Sequence, residues 1–115
     1  MALYLGRFSY TPEALRGMME NPTDRGAAAR EVAESLGGKL LGFWFCFGES
    51  DGAYLMEAPD NATAAALAMA IGASGAISNV ETTVLMTAEE AQDAMRKAST
   101  ATYHPPISPS PVASA

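Results

Sequence analysis

The feature that most constrains the fold of this chain is an eight-residue segment, 40–47, which contains its one tryptophan and three of its four phenylalanines. Aromatic residues at this density favour a β-strand, where large side chains pack on a pleated surface. Residues 53–58 predict the partner strand of a hairpin, with its turn at 48–51. The expected register gives three facing pairs: Phe45 with Tyr54, Phe43 with Met56, and Trp44 with Leu55.

Periodic patterns on both sides of this hairpin predict the remaining elements. Residues 3–10 and 77–86 alternate with period two and predict strands. Four helices are predicted, each from a capping residue to a stop signal: from Thr11 to Asn21, from Asn21 to Gly37, from Asp60 to Gly72 or Gly75, and from Thr87 to Ala98. The order strand, helix, strand, strand, helix, strand predicts an α+β sandwich with a four-stranded antiparallel sheet and an added C-terminal helix.

Both faces of the central hairpin are apolar. One face carries Phe43, Phe45, Tyr54 and Met56, and the other carries Trp44, Cys46, Ala53 and Leu55. Right-handed crossovers place both main helices on one face of the sheet, so the second apolar face has no cover within the chain. We therefore expect a homodimer, or a higher homo-oligomer, in which two sheets pack face to face.

Composition limits the classes of function. With 115 residues, 49% of them apolar and 17% charged, the sequence predicts one folded domain, 1–98, followed by a Ser/Thr/Pro-rich tail, 99–115. A net charge of −6 argues against nucleic-acid binding. Neither a leader peptide nor a membrane span is expected. The single cysteine, Cys46, favours a reducing cytoplasm.

Common cofactor and metal signatures are missing from the sequence. There is no phosphate loop, dinucleotide fingerprint, Cys-x-x-Cys or His-Glu-x-x-His motif. His104 is the only histidine, so neither a catalytic triad nor a multi-histidine metal site forms within one chain. We expect no cofactor and no metal, and we expect the turn acids Glu49, Asp51 and Asp60 to be solvated.

Three stretches carry a resemblance to a known family. They are Gly-Lys-Leu-Leu-Gly-Phe-Trp at 38–44, the turn Gly-Glu-Ser-Asp at 48–51, and Glu-Ala-Pro-Asp at 57–60. Residues 3–98 resemble the GYD-domain family, which implies a ferredoxin-like fold of the dimeric α/β-barrel class and no assigned biochemical role. Ser50 departs from this family, whose turn usually carries an aromatic residue before the aspartate, and the tail lies outside the resemblance.

The resemblance also implies a ligand site, because dimeric α/β barrels enclose a cavity between sheet and helices. We predict that the sheet face of Trp44, Leu55 and Glu57, with Arg7 on a neighbouring strand, binds the ligand. Trp44 would stack on an aromatic ligand or belong to the core or interface. Glu57 would act as a general base, or form a structural ion pair with Arg7. Asn79 would donate to a ligand carbonyl or only shape a turn.

The tail predicts a second contact surface. Its proline content excludes a regular helix and favours an extended chain. Such a chain would lie along a neighbouring subunit or along a different protein in a larger complex. The predicted partner-binding residues are Tyr103, His104, Pro105, Pro106 and Ile107.

Two classes of function remain open from the sequence. The first is a homo-oligomeric module that binds a small apolar ligand or serves as an accessory subunit. The second is an enzyme resembling the cofactor-independent monooxygenases of the same barrel class, with Trp44, Asn79 and Glu57 around an aromatic substrate. Only the fold analogy supports the second class.

Overall fold

The computed structural model describes residues 1–107. It contains two compact units, Met1–Leu85 and a second that begins at Met86. The predicted domain, 1–98, includes the terminal helix, which lies in the second unit, so that domain boundary stays a prediction. Residues 108–115 of the predicted tail lie outside the described residues.

The first unit has its strands and main helices in the predicted order. Its elements are β1 (Ala2–Tyr10), α1 (Pro12–Glu20), α2 (Arg25–Ser35), β2 (Lys39–Phe45), β3 (Gly52–Ala58), α3 (Asn61–Gly72) and β4 (Ile77–Leu85). The strands form one antiparallel sheet in the order β2-β3-β1-β4. This order is that of a ferredoxin-like sandwich, so the predicted α+β fold is confirmed.

Each helix of the first unit begins at a capping side chain. Thr11 Oγ1 accepts a hydrogen bond from a backbone N–H in the first turn of α1 (3.2 Å), and Asp24 and Asp60 cap α2 and α3 in the same way. The prediction that α2 begins at Asn21 was wrong. Asn21 already ends α1, because its N–H donates to the Gly17 carbonyl (3.0 Å), so the next helix starts three residues later.

The hairpin of β2 and β3 forms, but its predicted register was wrong by two residues. The observed facing pairs are Phe43 with Tyr54, Trp44 with Ala53, and Phe45 with Gly52. The turn closes earlier than expected, where the Cys46 N–H donates to the Asp51 carbonyl (2.9 Å). In β2, Leu41 forms a bulge that opposes no residue of β3. A shift of two residues keeps the side chains of 43–45 and 53–56 on their predicted faces.

The hydrophobic core lies between the sheet and the helices. Strand β1 contributes Tyr4, Phe8 and Tyr10, which alternate towards the helices as their spacing predicts. The other buried core residues are Ala33, Leu40, Tyr54, Met56, Ala58, Ala64 and Leu67. This core positions the aromatic rings that shape the candidate site.

Among the described residues, the second unit contains one helix, α4 (Ala88–Ala98). The predicted start of this helix at Thr87 is confirmed, and a capping box forms there: the Glu90 N–H donates to Thr87 Oγ1, and the Thr87 N–H donates to the Glu90 carboxylate, both at 3.0 Å. Most of the helix is exposed, including Met95, which is 67% exposed. Residues 101–107, which include the predicted partner-binding residues, are also exposed.

Candidate ligand cavity

A cavity of about 280 Å³ lies in the first unit between the helices and the helix-facing side of the sheet. Most of its walls are apolar. They include Ala29 and Val32 of α2, Leu67 and Ile71 of α3, and Phe43 and Tyr54 of the sheet. Pockets for small ligands have this character, with an apolar body and a few polar groups.

Two aromatic rings lie flat on the sheet beneath this cavity. Tyr54 of β3 lies across Gly6 of β1, and Phe8 of β1 lies across Gly52 of β3. Each ring and its glycine face one another in the β1–β3 ladder. A Cβ on either glycine would overlap the ring. Because these rings lie along the sheet instead of standing away from it, they leave space under the helices.

Small side chains on the helices leave the upper part of this space open. Helix α3 packs on the sheet through the buried residues Ala64 and Leu67, and its next turn lines the cavity with Ala70. Helix α2 lines the other side with Ala28 and Ala29. The cavity therefore results from alanines above and flat rings below.

Polar groups stand at one side of the cavity. Arg25, the first residue of α2, is the one charged side chain among the described residues that line it. Burial raises the pKa of the Tyr10 hydroxyl, whereas hydrogen bonding to Arg25 and its positive charge lower it, and the Asp51 carboxylate raises it. The Ser74 hydroxyl donates to the Ile71 carbonyl (2.6 Å) and is already engaged. Arg25 and Tyr10 are thus the groups that can hold the polar part of a ligand.

The Tyr54 hydroxyl has no hydrogen-bond partner, and it is the one such buried side-chain atom in residues 1–107. Burial raises the pKa of this hydroxyl, and Thr82 lowers it, although the two groups do not reach hydrogen-bond geometry. By contrast, the equally buried Tyr4 hydroxyl donates to Asn61 Oδ1 (2.7 Å). An unpaired buried hydroxyl costs about 1–3 kcal/mol. The floor of the cavity therefore contains an unsatisfied donor.

The predicted ligand residues lie on the other side of the sheet. The first unit's helices do not cover this side, which we call the open face; it carries Leu3, Leu5, Arg7, Trp44, Ala53, Leu55, Glu57, Glu81, Thr83 and Leu85. The prediction that the cavity between sheet and helices adjoins Trp44 and Glu57 was wrong, because neighbouring side chains of a strand point to opposite faces. A ligand-binding role for Trp44, Leu55, Glu57 and Arg7 stays a prediction.

The expected ion pair between Arg7 and Glu57 does not form. Arg7 faces Glu81 in the β1–β4 ladder, and Glu57 faces Lys39 in the β2–β3 ladder. Glu57 stands four residues beyond Ala53, the β3 residue that faces Arg7. No salt bridge joins Arg7 and Glu57 in the part of the chain that is described.

The three residues of the predicted enzyme site are also separated. Trp44 stands on β2 and Asn79 on β4, which are the two edge strands of the sheet. Three strand spacings, about 14 Å, lie between these edges. Glu57 stands at the other end of β3 from the Trp44 row. These three side chains therefore do not share one site within a protomer.

Two of the three turn acids, Asp51 and Asp60, have structural partners. Asp51 accepts a hydrogen bond from the Tyr10 N–H (2.9 Å). Hydrogen bonds from the Thr63 hydroxyl and N–H lower the pKa of Asp60. Within residues 1–107, no three His, Cys, Asp or Glu side chains come close enough to hold a metal ion.

Sequence reasoning missed Arg25, Phe43 and Tyr54 as cavity residues. Alternation had grouped Phe43 and Tyr54 on one face of the sheet, but the cavity was predicted beside the opposite face, which carries Trp44. The available signal was a glycine in each of two neighbouring strands, Gly6 and Gly52, because a glycine allows the large ring of the facing residue to lie across the backbone. Arg25 was missed because the start of α2 was predicted too early.

Comparison with known families identifies the chain. A family model described as the GYD domain matches residues 4–95. The chain belongs to the GYD-domain family. The matched range of this GYD domain includes both the cavity and the open face, and it confirms the resemblance seen in the three sequence stretches.

Two other comparisons add no role for this GYD domain. A crystal structure of an uncharacterized NIPSNAP domain protein from Burkholderia xenovorans is similar at 14% identity, over 76% of this chain and 95% of that chain, with a TM-score of 0.43. No curated protein matches the chain. No helix of residues 1–107 combines the length and hydropathy needed to cross a membrane.

Proposed function

We propose that this GYD-domain protein is a homo-oligomeric module that binds a small apolar ligand in the cavity between its helices and its sheet. The observation that carries this proposal is the apolar space of about 280 Å³ between the helices and the sheet, which is partly open to solvent. An engineered apolar cavity of about 150 Å³ stays dry and binds benzene. The present cavity has room for one ring and a short side chain, or for two fused rings.

A packed protein interior normally fills such a space with its own side chains. Here the chain keeps alanines at Ala28, Ala29 and Ala70 where larger residues would fit, and it keeps two rings flat over glycines. Both arrangements give up packing contacts within the protomer. A ligand that occupies the space would restore these contacts.

Cavity filling tests this proposal. Indole is titrated into the full-length protein by calorimetry, and into two variants that each add one leucine to α2. Ala29→Leu places the new side chain in the cavity, whereas Ala27→Leu places it on the exposed side of the same helix. We expect wild type and Ala27→Leu to bind indole, and Ala29→Leu to bind it at least about tenfold more weakly because its side chain occupies the site. Binding that is absent from wild type, or unchanged in Ala29→Leu, would refute the proposal.

Self-association is the second part of the proposal, and the open face supports it. Leu3, Leu5 and Leu55 lie side by side at its centre, and Trp44 is 53% exposed on its edge. The three leucines are partly buried and Trp44 is exposed, and apolar patches that reach the surface are typical of contact surfaces. The twofold packing of two open faces would bury it, and it would leave the cavity of each protomer accessible from the helix side.

The proposal also covers the cellular location of the protein and the partner of its C-terminal residues. We propose a cytoplasmic location, because Cys46 is an exposed free thiol that suits a reducing compartment. We also propose that Tyr103, His104, Pro105, Pro106 and Ile107 contact a neighbouring subunit or another protein, in which case the module serves as an accessory subunit. Tyr103 is 74% and Ile107 66% exposed, so both are available for such a contact.

A further inference from the structure

One side of the cavity carries a positive charge that forms no salt bridge with the described residues. Arg25 lines the cavity and is partly buried. No carboxylate of residues 1–85 lies within salt-bridge distance of its guanidinium. Fully buried arginines are usually paired, but Arg25 is only partly buried, so its guanidinium keeps contact with water and stays available to an anion. An unpaired Arg25 beside an apolar cavity is therefore a candidate anion-binding group.

The acids closest in sequence and structure already have other partners. Asp24 precedes Arg25, and its Oδ1 accepts the Ala27 N–H (3.1 Å) as the cap of α2. Asp51 accepts the Tyr10 N–H (2.9 Å). Each carboxylate accepts a backbone N–H, and neither forms a salt bridge with the Arg25 guanidinium.

A second donor stands beside Arg25. The Tyr10 side chain lines the same cavity, and burial keeps the pKa of its hydroxyl above its ordinary value, so the hydroxyl carries its proton at neutral pH. A guanidinium and a phenol together can donate to both oxygens of one carboxylate. A dianionic phosphate would need more positive charge than the described cavity residues supply.

We infer that the ligand of this cavity is a small amphipathic carboxylic acid, with its ring or short chain in the apolar space and its carboxylate on Arg25 and Tyr10. This inference rests on the proposed function and adds the chemical class of the ligand. The cavity volume limits the apolar part to about two rings. Arg25 is then a specificity-determining residue, and the apolar walls supply most of the contact area.

A matched pair of probes tests this class. 3-Phenylpropanoate and 3-phenylpropanamide have the same number of non-hydrogen atoms and differ in charge. Calorimetric titration of the full-length protein should give a dissociation constant about tenfold or more lower for the acid, as expected for a charge-assisted pair. The affinity of the amide should stay weak and measurable, because it uses only the apolar walls.

Variants of α2 locate the source of the preference. Arg25→Gln should abolish the preference for the acid without changing amide binding, and Arg25→Lys should retain part of it, since a charge remains but the planar fork is lost. Arg30→Gln removes the same charge from an exposed site on the same helix and should behave as wild type. Tyr10→Phe should weaken acid binding a few-fold. Circular dichroism spectra establish that each variant is folded.

The outcomes separate this inference from the proposed function. Equal binding of acid and amide in wild type would overturn the inference and leave the apolar cavity intact as a site. A preference for the acid that persists in Arg25→Gln would also overturn it, since the anion would then bind elsewhere. If neither probe binds wild type and indole binds, the carboxylate class is wrong; if none of the three binds, the cavity function is wrong as well.

Discussion

At the scale of single residues, two glycines determine the shape of the cavity. Gly6 and Gly52 lie in neighbouring strands, and each accepts the ring of the residue that faces it. Aromatic residues placed across glycines recover packing that a glycine in a strand otherwise loses. Tyr54 and Phe8 can therefore cover the sheet while remaining below the cavity. The glycines are needed for the space they leave and not for an unusual backbone conformation.

Replacement of Gly6 by alanine tests this geometry. The new Cβ would overlap the Tyr54 ring, so we expect the free energy of unfolding to fall by about 1–3 kcal/mol. Urea denaturation measures the change. Gly17→Ala is the matched control, because Gly17 lies within α1 with open space around it; it should stabilise the protein by about 0.5–1 kcal/mol. A Gly6→Ala protein as stable as wild type would show that the ring does not lie where described.

A second residue-scale prediction concerns the two buried tyrosines. Tyr54→Phe removes a hydroxyl that has no partner, so stability should stay the same or increase by up to about 1 kcal/mol. Tyr4→Phe removes the hydrogen bond to Asn61 and should cost about 0.5–1.5 kcal/mol. Both substitutions delete the same atom from a buried ring, so their difference in urea midpoint isolates the hydrogen bond. The opposite order of stability would contradict the assigned partners.

At the scale of elements, the sequence determined which side chains share a face of the sheet, but neither which face the helices cover nor which residues pair. Alternation in 53–58 depends only on the strand period, and it correctly placed Tyr54 and Met56 on the same face. Pairing depends on where the turn closes and on the bulge at Leu41, and neither leaves a clear signal in a run as uniformly apolar as 40–47. The cavity could not be predicted from the sequence for a related reason, since no pattern within one strand shows which aromatic rings lie flat on the sheet.

Deletion of Leu41 tests the bulge. Leu41 has no facing residue in β3 and is 43% exposed, so its removal should leave a regular ladder with every pair intact. We expect the variant to fold, with a loss in free energy of unfolding of no more than about 2 kcal/mol. The rate of hydrogen exchange at the β3 amides measures whether the hydrogen bonds between β2 and β3 are kept, and it should stay as slow as in the wild type.

Deletion of Ala53 is the control for that experiment. Ala53 pairs on both sides, with Arg7 and Trp44, so its removal turns one half of β3 to the wrong face. This second variant should not fold. If the two deletions had equal effects, the bulge would be placed wrongly.

At the scale of the whole molecule, the proposed dimer follows from how the first unit divides its apolar residues between two faces. Helices cover the aromatic side, and the open face keeps a leucine row at its centre. In this proposal the first unit has two kinds of apolar surface with separate roles, one that encloses a ligand and one that meets a second copy.

Charge placed at the centre of the open face tests the dimer. Leu5→Glu should convert a dimer into a folded monomer, because sheet-to-sheet packing would bury the carboxylate without a partner. Light scattering coupled to size exclusion at micromolar concentration measures the mass. Met69→Glu changes an exposed methionine on α3 in the same way and should leave the dimer unchanged. A wild-type protein that is monomeric under these conditions would refute self-association.

The central claim is that the helix side of the sheet, and not the open face, holds the ligand. Methyl-resolved NMR during titration with 3-phenylpropanoate tests it most directly, because leucine and isoleucine methyls report both faces at once. The account predicts shifts at Leu67 and Ile71, which line the cavity, and none at Leu5 or Leu55. Shifts confined to Leu5 and Leu55 would contradict it and would place the ligand beside Trp44.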